Sequence, residues 1–279
     1  MKWQLIILFL AFFTAVQTIA QNESAGEQSR ESMAVDATAT QWSYQFAYEG
    51  FFDYRTDTDV STDTVRAEGR EGFVQFRFVA PIPKSEKMPL TLLPRLTLRL
   101  VGNAEGQYGF GSSDVFVLGI INQWKTGRWG FGPQINFPAQ NATFGNPNWA
   151  FGFAAAVTQR AWKDRLFFAL LFQQTWTDRN GSILAGPLSI NPIFVIQLGK
   201  GWYAGNGDYV INYDWYSQAW FIPFGARLGK AWIGEKSTWN AYAEYASSVL
   251  WTEWAGPVAG WSIRINVQFQ IPVSMGKKK

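Results

Sequence analysis

Near the C-terminal end of the chain, apolar and polar positions alternate from Val258 to Val273. Ala259, Trp261, Ile263, Ile265, Val267, Phe269 and Ile271 form one row, and Gly260, Ser262, Arg264, Asn266, Gln268 and Gln270 form the other. This is the two-residue period of a β-strand. Strands of soluble domains usually run about five or six residues, whereas about 9–11 tilted residues cross a bilayer. A long strand with one apolar and one polar row fits a transmembrane barrel, apolar side to lipid and polar side to a lumen. A soluble β-sandwich is the competing fold.

Similar patterning continues upstream. It predicts strands at about 42–54, 72–80, 90–101, 113–124, 128–138, 148–160, 165–177, 188–199, 202–214, 220–231, 238–250 and 258–272. That gives an all-β, transmembrane antiparallel β-barrel of about twelve strands, an even count that leaves both termini on one side. Short charged connections, such as Lys125-Thr126-Gly127-Arg128 and Gly234-Glu235-Lys236-Ser237, alternate with longer ones at 139–147, 178–187 and 251–257. Tight turns belong to the periplasmic end of such barrels and long loops to the outer end.

The flanks read differently. Lys2, the apolar run Leu5–Phe13 and the small-residue site at Thr18-Ile19-Ala20 make residues 1–20 a cleaved signal peptide, too short to span a membrane as a helix. Residues 21–40 carry little apolar bulk and read as a mobile polar leader. The barrel then occupies 41–273, and 274–279 form a basic tail. The expected location is the bacterial outer membrane, with its lipid and its assembly machinery as partners.

Composition sharpens this picture. Aromatic residues make up 17% of the chain and include 15 Trp, many of them at predicted strand ends, where two interfacial girdles belong. The chain has no Cys and no His, which excludes disulfides, thiolate chemistry, Ser-His triads and the usual zinc ligands. No enzyme, cofactor or metal is expected. Loss of Lys2 with the signal peptide lowers the formal charge from +3 to +2, too small a surplus to point to nucleic acid.

The candidate chemistry is charge on predicted lumen faces: Glu49, Asp53, Arg77, Arg95, Arg99, Arg160, Asp208, Asp214, Arg227, Glu244 and Arg264. Unpaired charge is very costly in a dry core, but a wet lumen accommodates it. These eleven residues are the expected solute-binding set. Both signs on one wall can order water and sort solutes by charge and dipole, and six arginines against five acids tilt the lumen toward anions. The same residues could instead pair across the lumen and close it. The face shared by Asn206, Asp208, Asn212 and Asp214 could offer oxygens to a divalent cation, although solvated lumen charge is the simpler account because alternate strand residues lie about 7 Å apart.

Several motifs carry a resemblance. Trp129-Gly130-Phe131-Gly132-Pro133 with Pro138, Gln173-Gln174-Thr175-Trp176, Asn191-Pro192, Gly199-Lys200-Gly201-Trp202-Tyr203 and the run Ile222–Lys230 resemble signatures of an outer-membrane family associated with phenol-degradation meta-pathways. The likeness covers roughly residues 109–272. It implies an outer-membrane barrel that passes small, often aromatic, organic molecules by facilitated diffusion. The alternative is a closed structural or surface-interaction barrel without transport.

Overall fold

A computed structural model of the chain describes residues 28–36, 38–59, 64–179 and 181–273. The expected signal peptide, residues 21–27 of the leader and the basic tail lie outside the described residues.

The described chain begins with a short helix, α1 (Arg30–Val35), followed by strands β1 (Gln41–Phe52), β2 (Thr58–Asp59), β3 (Thr64–Val65), β4 (Glu71–Val79), β5 (Thr91–Gly102), β6 (Tyr108–Phe110), β7 (Ser113–Trp124), β8 (Gly127–Phe137) and β9 (Ala150–Ala161). There follow β10 (Leu166–Arg179), β11 (Ser182–Ala185), β12 (Leu188–Gly199), β13 (Trp202–Gly205), β14 (Ile211–Tyr213), β15 (Trp220–Ile233), β16 (Thr238–Leu250) and β17 (Trp261–Pro272). Neighbours pair antiparallel around a ring of β1, β4, β5, β7, β8, β9, β10, β12, β13 with β14, β15, β16 and β17. Pairing of Gln41 with Pro272 through Phe52 with Trp261 closes it. Counting β13 and β14 as one interrupted stave, the barrel has twelve staves, as the sequence pattern predicts. The small strands β2, β3, β6 and β11 decorate the loop end.

The distribution of side chains inverts that of a soluble domain. On β17, Ser262, Arg264, Asn266 and Gln270 are buried while Ile263, Ile265, Val267 and Ile271 are exposed. Outward aromatic rings pair across strands, Phe46 with Phe76 at 5.0 Å and Trp239 with Phe269 at 4.8 Å between centroids, a contact that stabilises a sheet without a core beneath it. Exposed tryptophans gather at the turn end (Trp42, Trp129, Trp162, Trp202, Trp232, Trp239) and the loop end (Trp149, Trp176, Trp215). Apolar outside, polar inside and ringed by indoles at both rims, this is a transmembrane barrel of the outer-membrane type. Trp124 departs from the expected girdle: its indole N–H donates to Gln159 Oε1 at 2.8 Å.

One expectation is corrected. Where the sequence predicts one strand over 202–214, the chain leaves the sheet between β13 and β14. Pro192 on β12 has no N–H to give, and the Asn206 amide takes over the edge there. Asn206 Nδ2 donates to the Pro192 carbonyl at 2.6 Å, and its Oδ1 accepts from Phe194 N–H at 2.6 Å. Beyond Asn206 the chain leaves the ladder and carries Asp208 inward. Residues 28–36 and 38–40 of the polar leader lie against the barrel. Its small side chains, with Ser32 and Ala34 fully buried, let it fold into the barrel's turn end.

Candidate functional site

The lumen is built from positions that face inward on neighbouring strands, so register decides what meets. At mid-barrel, β15, β16, β17 and β1 place Arg227, Glu244, Arg264 and Glu49 side by side. Charge therefore alternates along one row across four strands. Arg264 Nη1 donates to Glu49 Oε2 at 3.2 Å, and its Nη2 lies 3.3 Å from Asp208 Oδ2. Arg77 on β4 reaches the same Asp208 oxygen at 3.3 Å and Gln45 Oε1 at 3.2 Å. Arg99 on β5 pairs with Asp114 on β7 at 3.1 Å.

Asp208 arrives on the inward dip rather than on a strand. Its backbone N–H donates to Glu244 Oε2 at 2.7 Å, and Asn191 Nδ2 donates to its Oδ1 at 3.0 Å. The dip needs Gly207, because a Cβ there would lie 2.2 Å from the Glu244 carboxylate. Arg227 takes another environment: its guanidinium lies over the rings of Tyr242 at 5.1 Å and Tyr203 at 5.9 Å.

Eight of the eleven expected residues thus share the lumen: Glu49, Arg77, Arg95, Arg99, Asp208, Arg227, Glu244 and Arg264. Three do not join them. Asp53 is exposed in the bend after β1 and takes a positive φ of 52°. Arg160 lies at the turn end, bound to Asp164 at 2.8 Å and to the Lys125 carbonyl at 2.8 Å. Asp214 caps the loop after β14, accepting from the Ser217 hydroxyl at 2.6 Å and from Tyr216 N–H at 3.2 Å. Burial alone would raise the Asp214 pKa, but these donors outweigh it and hold the carboxyl below its ordinary value.

The sequence reading missed Asp114, although it is buried and partnered. It also missed the opposite wall. Leu93, Phe116, Leu118, Ile120, Ala154 and Ala156 form a buried apolar cluster, with Leu171 packed against it. On β8 the Trp129–Pro133 motif turns its aromatic residues outward and leaves Gly130 and Gly132 facing inward. A Cβ on Gly132 would meet the Val117 carbonyl oxygen at 1.7 Å.

A cavity of about 350 Å³ lies between the two walls. It extends from Phe51, Phe221 and Trp261 toward the loop end down to Thr38 and Thr158. Below it sits the N-terminal segment. Arg30 donates to the carbonyls of Gly234, Glu235 and Ser237 in the β15–β16 turn. Glu31 accepts from Gly201 N–H at 3.1 Å, and Ser29 N–H donates to Asp164 at 2.9 Å. Arg128 binds Asp36 at 3.1 Å, while Asn240 and Gln270 both donate to the Ala34 carbonyl at 3.0 Å. Three turns and three strands thus hold α1 and its flanking residues across the lumen.

No protein-family model and no curated protein sequence matches the chain. The structure is similar to the crystal structure of an outer membrane channel from Pseudomonas putida F1, with a TM-score of 0.60 and 11% identity, covering 83% of this chain and 96% of that one. The KdgM porin aligns with a TM-score of 0.47 and 11% identity over 81% and 98% of the two chains. For the CymD monoaromatic hydrocarbon channel the TM-score is 0.41 and the identity 8%, over 92% and 97%. Of what the motif resemblance implies, the fold is met, an outer-membrane β-barrel.

Proposed function

We propose that the chain is a passive outer-membrane channel for small organic solutes. The observation that carries this reading is the two-faced cavity, with arginines and acids on one side and aliphatic and aromatic side chains on the other. Cavities of about 300–1,000 Å³ suit small ligands, and a wall of each kind suits molecules that have both a polar group and an apolar body. Transport down a gradient needs no energy source, so the lumen's own dipoles and apolar surface set which solutes enter. Residues 28–36 and 38–40 narrow the turn end, and solutes pass when they shift or are displaced.

A second reading has specific support. The bonds that tie α1 to the surrounding turns favour a closed barrel whose role is structural or surface interaction. Reconstitution separates the two. For a channel, proteoliposomes carrying the refolded chain swell with small organic solutes, and deletion of residues 21–40 speeds the swelling. Protein that migrates as a folded barrel on an unheated gel, yet passes nothing with or without that segment, overturns the channel reading in favour of the closed one.

A further inference from the structure

We infer that the lumen holds a binding site for small amphiphilic monoanions, in which Arg95 takes a carboxylate and the apolar wall takes the hydrocarbon body. The inference names the solute class for the channel reading above and rests on that reading for its setting. Its first observation is charge balance. The lumen cluster contains Arg77, Arg95, Arg99, Arg227 and Arg264 against Glu49, Asp114, Asp208 and Glu244. Asp114 is taken by Arg99, Asp208 by Arg77 and Arg264, and Glu49 by Arg264. Glu244 is committed to the Asp208 N–H. Arg227 rests on its two tyrosines away from the cavity lining. Among the described residues, Arg95 lines the cavity without an acidic partner, and its Nε meets no acceptor.

The second observation is position. Arg95 lies opposite Phe116 on the neighbouring strand, with its guanidinium 4.1 Å from the ring centroid. Leu93 is its neighbour on the same face of β5, and Leu118 follows Phe116 on the same face of β7. Arg77 lies on the other neighbouring strand, β4, and Arg99 stands farther along β5, where it is paired with Asp114; both also line the cavity. Arg95 therefore stands at the seam between the apolar wall and the charged one. A ring beneath a guanidinium fixes its plane while leaving its N–H edge free for an acceptor. A carboxylate accepts from that edge in a charge-assisted pair, and an attached ring or short chain then reaches Leu118, Ala156 and Leu171. A neutral analogue gains only the apolar contact, and a cation meets uncompensated positive charge.

The test uses three molecules with one body: 3-phenylpropanoate, 3-phenylpropanamide and 3-phenylpropylammonium. Calorimetric titration into the full refolded chain in nanodiscs is expected to give about tenfold tighter binding of the carboxylate than of the amide, with the ammonium weakest. Arg95→Gln removes the preference for the carboxylate and leaves amide binding in place. Arg95→Lys keeps part of it, and Arg227→Gln keeps all of it. Equal binding of carboxylate and amide by the wild-type chain, or a preference that survives Arg95→Gln, overturns the site. The wild-type comparison decides even if a variant fails to refold. Swelling assays run with the same three solutes keep the two readings apart. Carboxylate preference without passage leaves the site and removes the channel, whereas passage without preference leaves the channel and removes the site.

Discussion

The two walls of the lumen solve the same problem in opposite ways. From β15 round to β4, each inward row carries a charge at mid-barrel, Arg227, Glu244, Arg264, Glu49 and Arg77, and stability depends on which residue lies opposite which. Arg264 serves both Glu49 and Asp208, so the wall is a network and not a set of separate pairs. From β7 to β10 an inward cluster of apolar side chains interlocks by size. Phe116, Leu118 and Leu171 fill the space that Gly130, Gly132, Ala154 and Ala156 leave. The first wall tolerates water but not loss of a partner. The second tolerates a change of hydrocarbon but not a charge.

Substitutions sharpen that contrast. The largest effect is expected for Arg264→Ala, which leaves Glu49 without its ion-pair partner and takes one of two arginines from Asp208 in a largely buried site. Breaking such a network costs about 3 kcal/mol or more, read as a lower urea midpoint for loss of the heat-modifiable folded band. Leu118→Asp attacks the other wall. It buries a carboxylate near Arg95, costs about 2 kcal/mol, and shifts the reversal potential under a salt gradient toward cations. An unchanged potential would argue that Leu118 does not line the conducting path. Gly207→Ala is milder, about 1 kcal/mol, because the Glu244 side chain can retreat from the new methyl but then loses the Asp208 N–H. Faster amide exchange at Asp208 reports it, and Gly225→Ala, whose Cβ would meet backbone and the small Ala246 side chain, serves as the contrast.

The smallest effect lies outside both walls, at Asp214. Its carboxyl is held below the ordinary value, so its contribution to loop order is fully present above about pH 4. That contribution fades as pH falls through the depressed folded value. Wild type and Asp214→Asn should therefore differ in loop proteolysis at neutral pH and converge in strong acid. A difference that persists at the lowest pH would mean the carboxylate charge is not what orders the loop.

The same contrast explains what was legible in the sequence. β17 declares its faces because Arg264, Asn266 and Gln270 interrupt a row of Ile, Val and Phe. On β7 the inward row is Asp114, Phe116, Leu118 and Ile120, and the outward row is Val115, Val117, Gly119 and Ile121. With both faces apolar, period-two alternation vanishes, so neither the apolar wall nor Asp114 stood out. Partners were hidden for another reason: Glu49 and Arg264 are 215 residues apart, and only the closing register joins them. Asp53, Asp214 and Arg160 were drawn into the predicted lumen because alternation says which face a residue takes, not where a strand stops. The placement of α1 escaped because Ser32 and Ala34 look like linker composition, although small side chains are what a narrow, wet lumen admits.

Closure of β1 onto β17 also sets an order of events. The first and last staves of the ring meet only once the whole chain is present, which makes this the contact of longest range and the one with the largest loop entropy to overcome. Residues 28–36 and 38–40 precede β1 and end up inside the hoop that its pairing completes. Either they are in place when the seam shuts, or they enter afterwards through the mouth they occupy. The joint between the two ends of the chain is therefore also the step that decides whether the barrel is born stoppered or open.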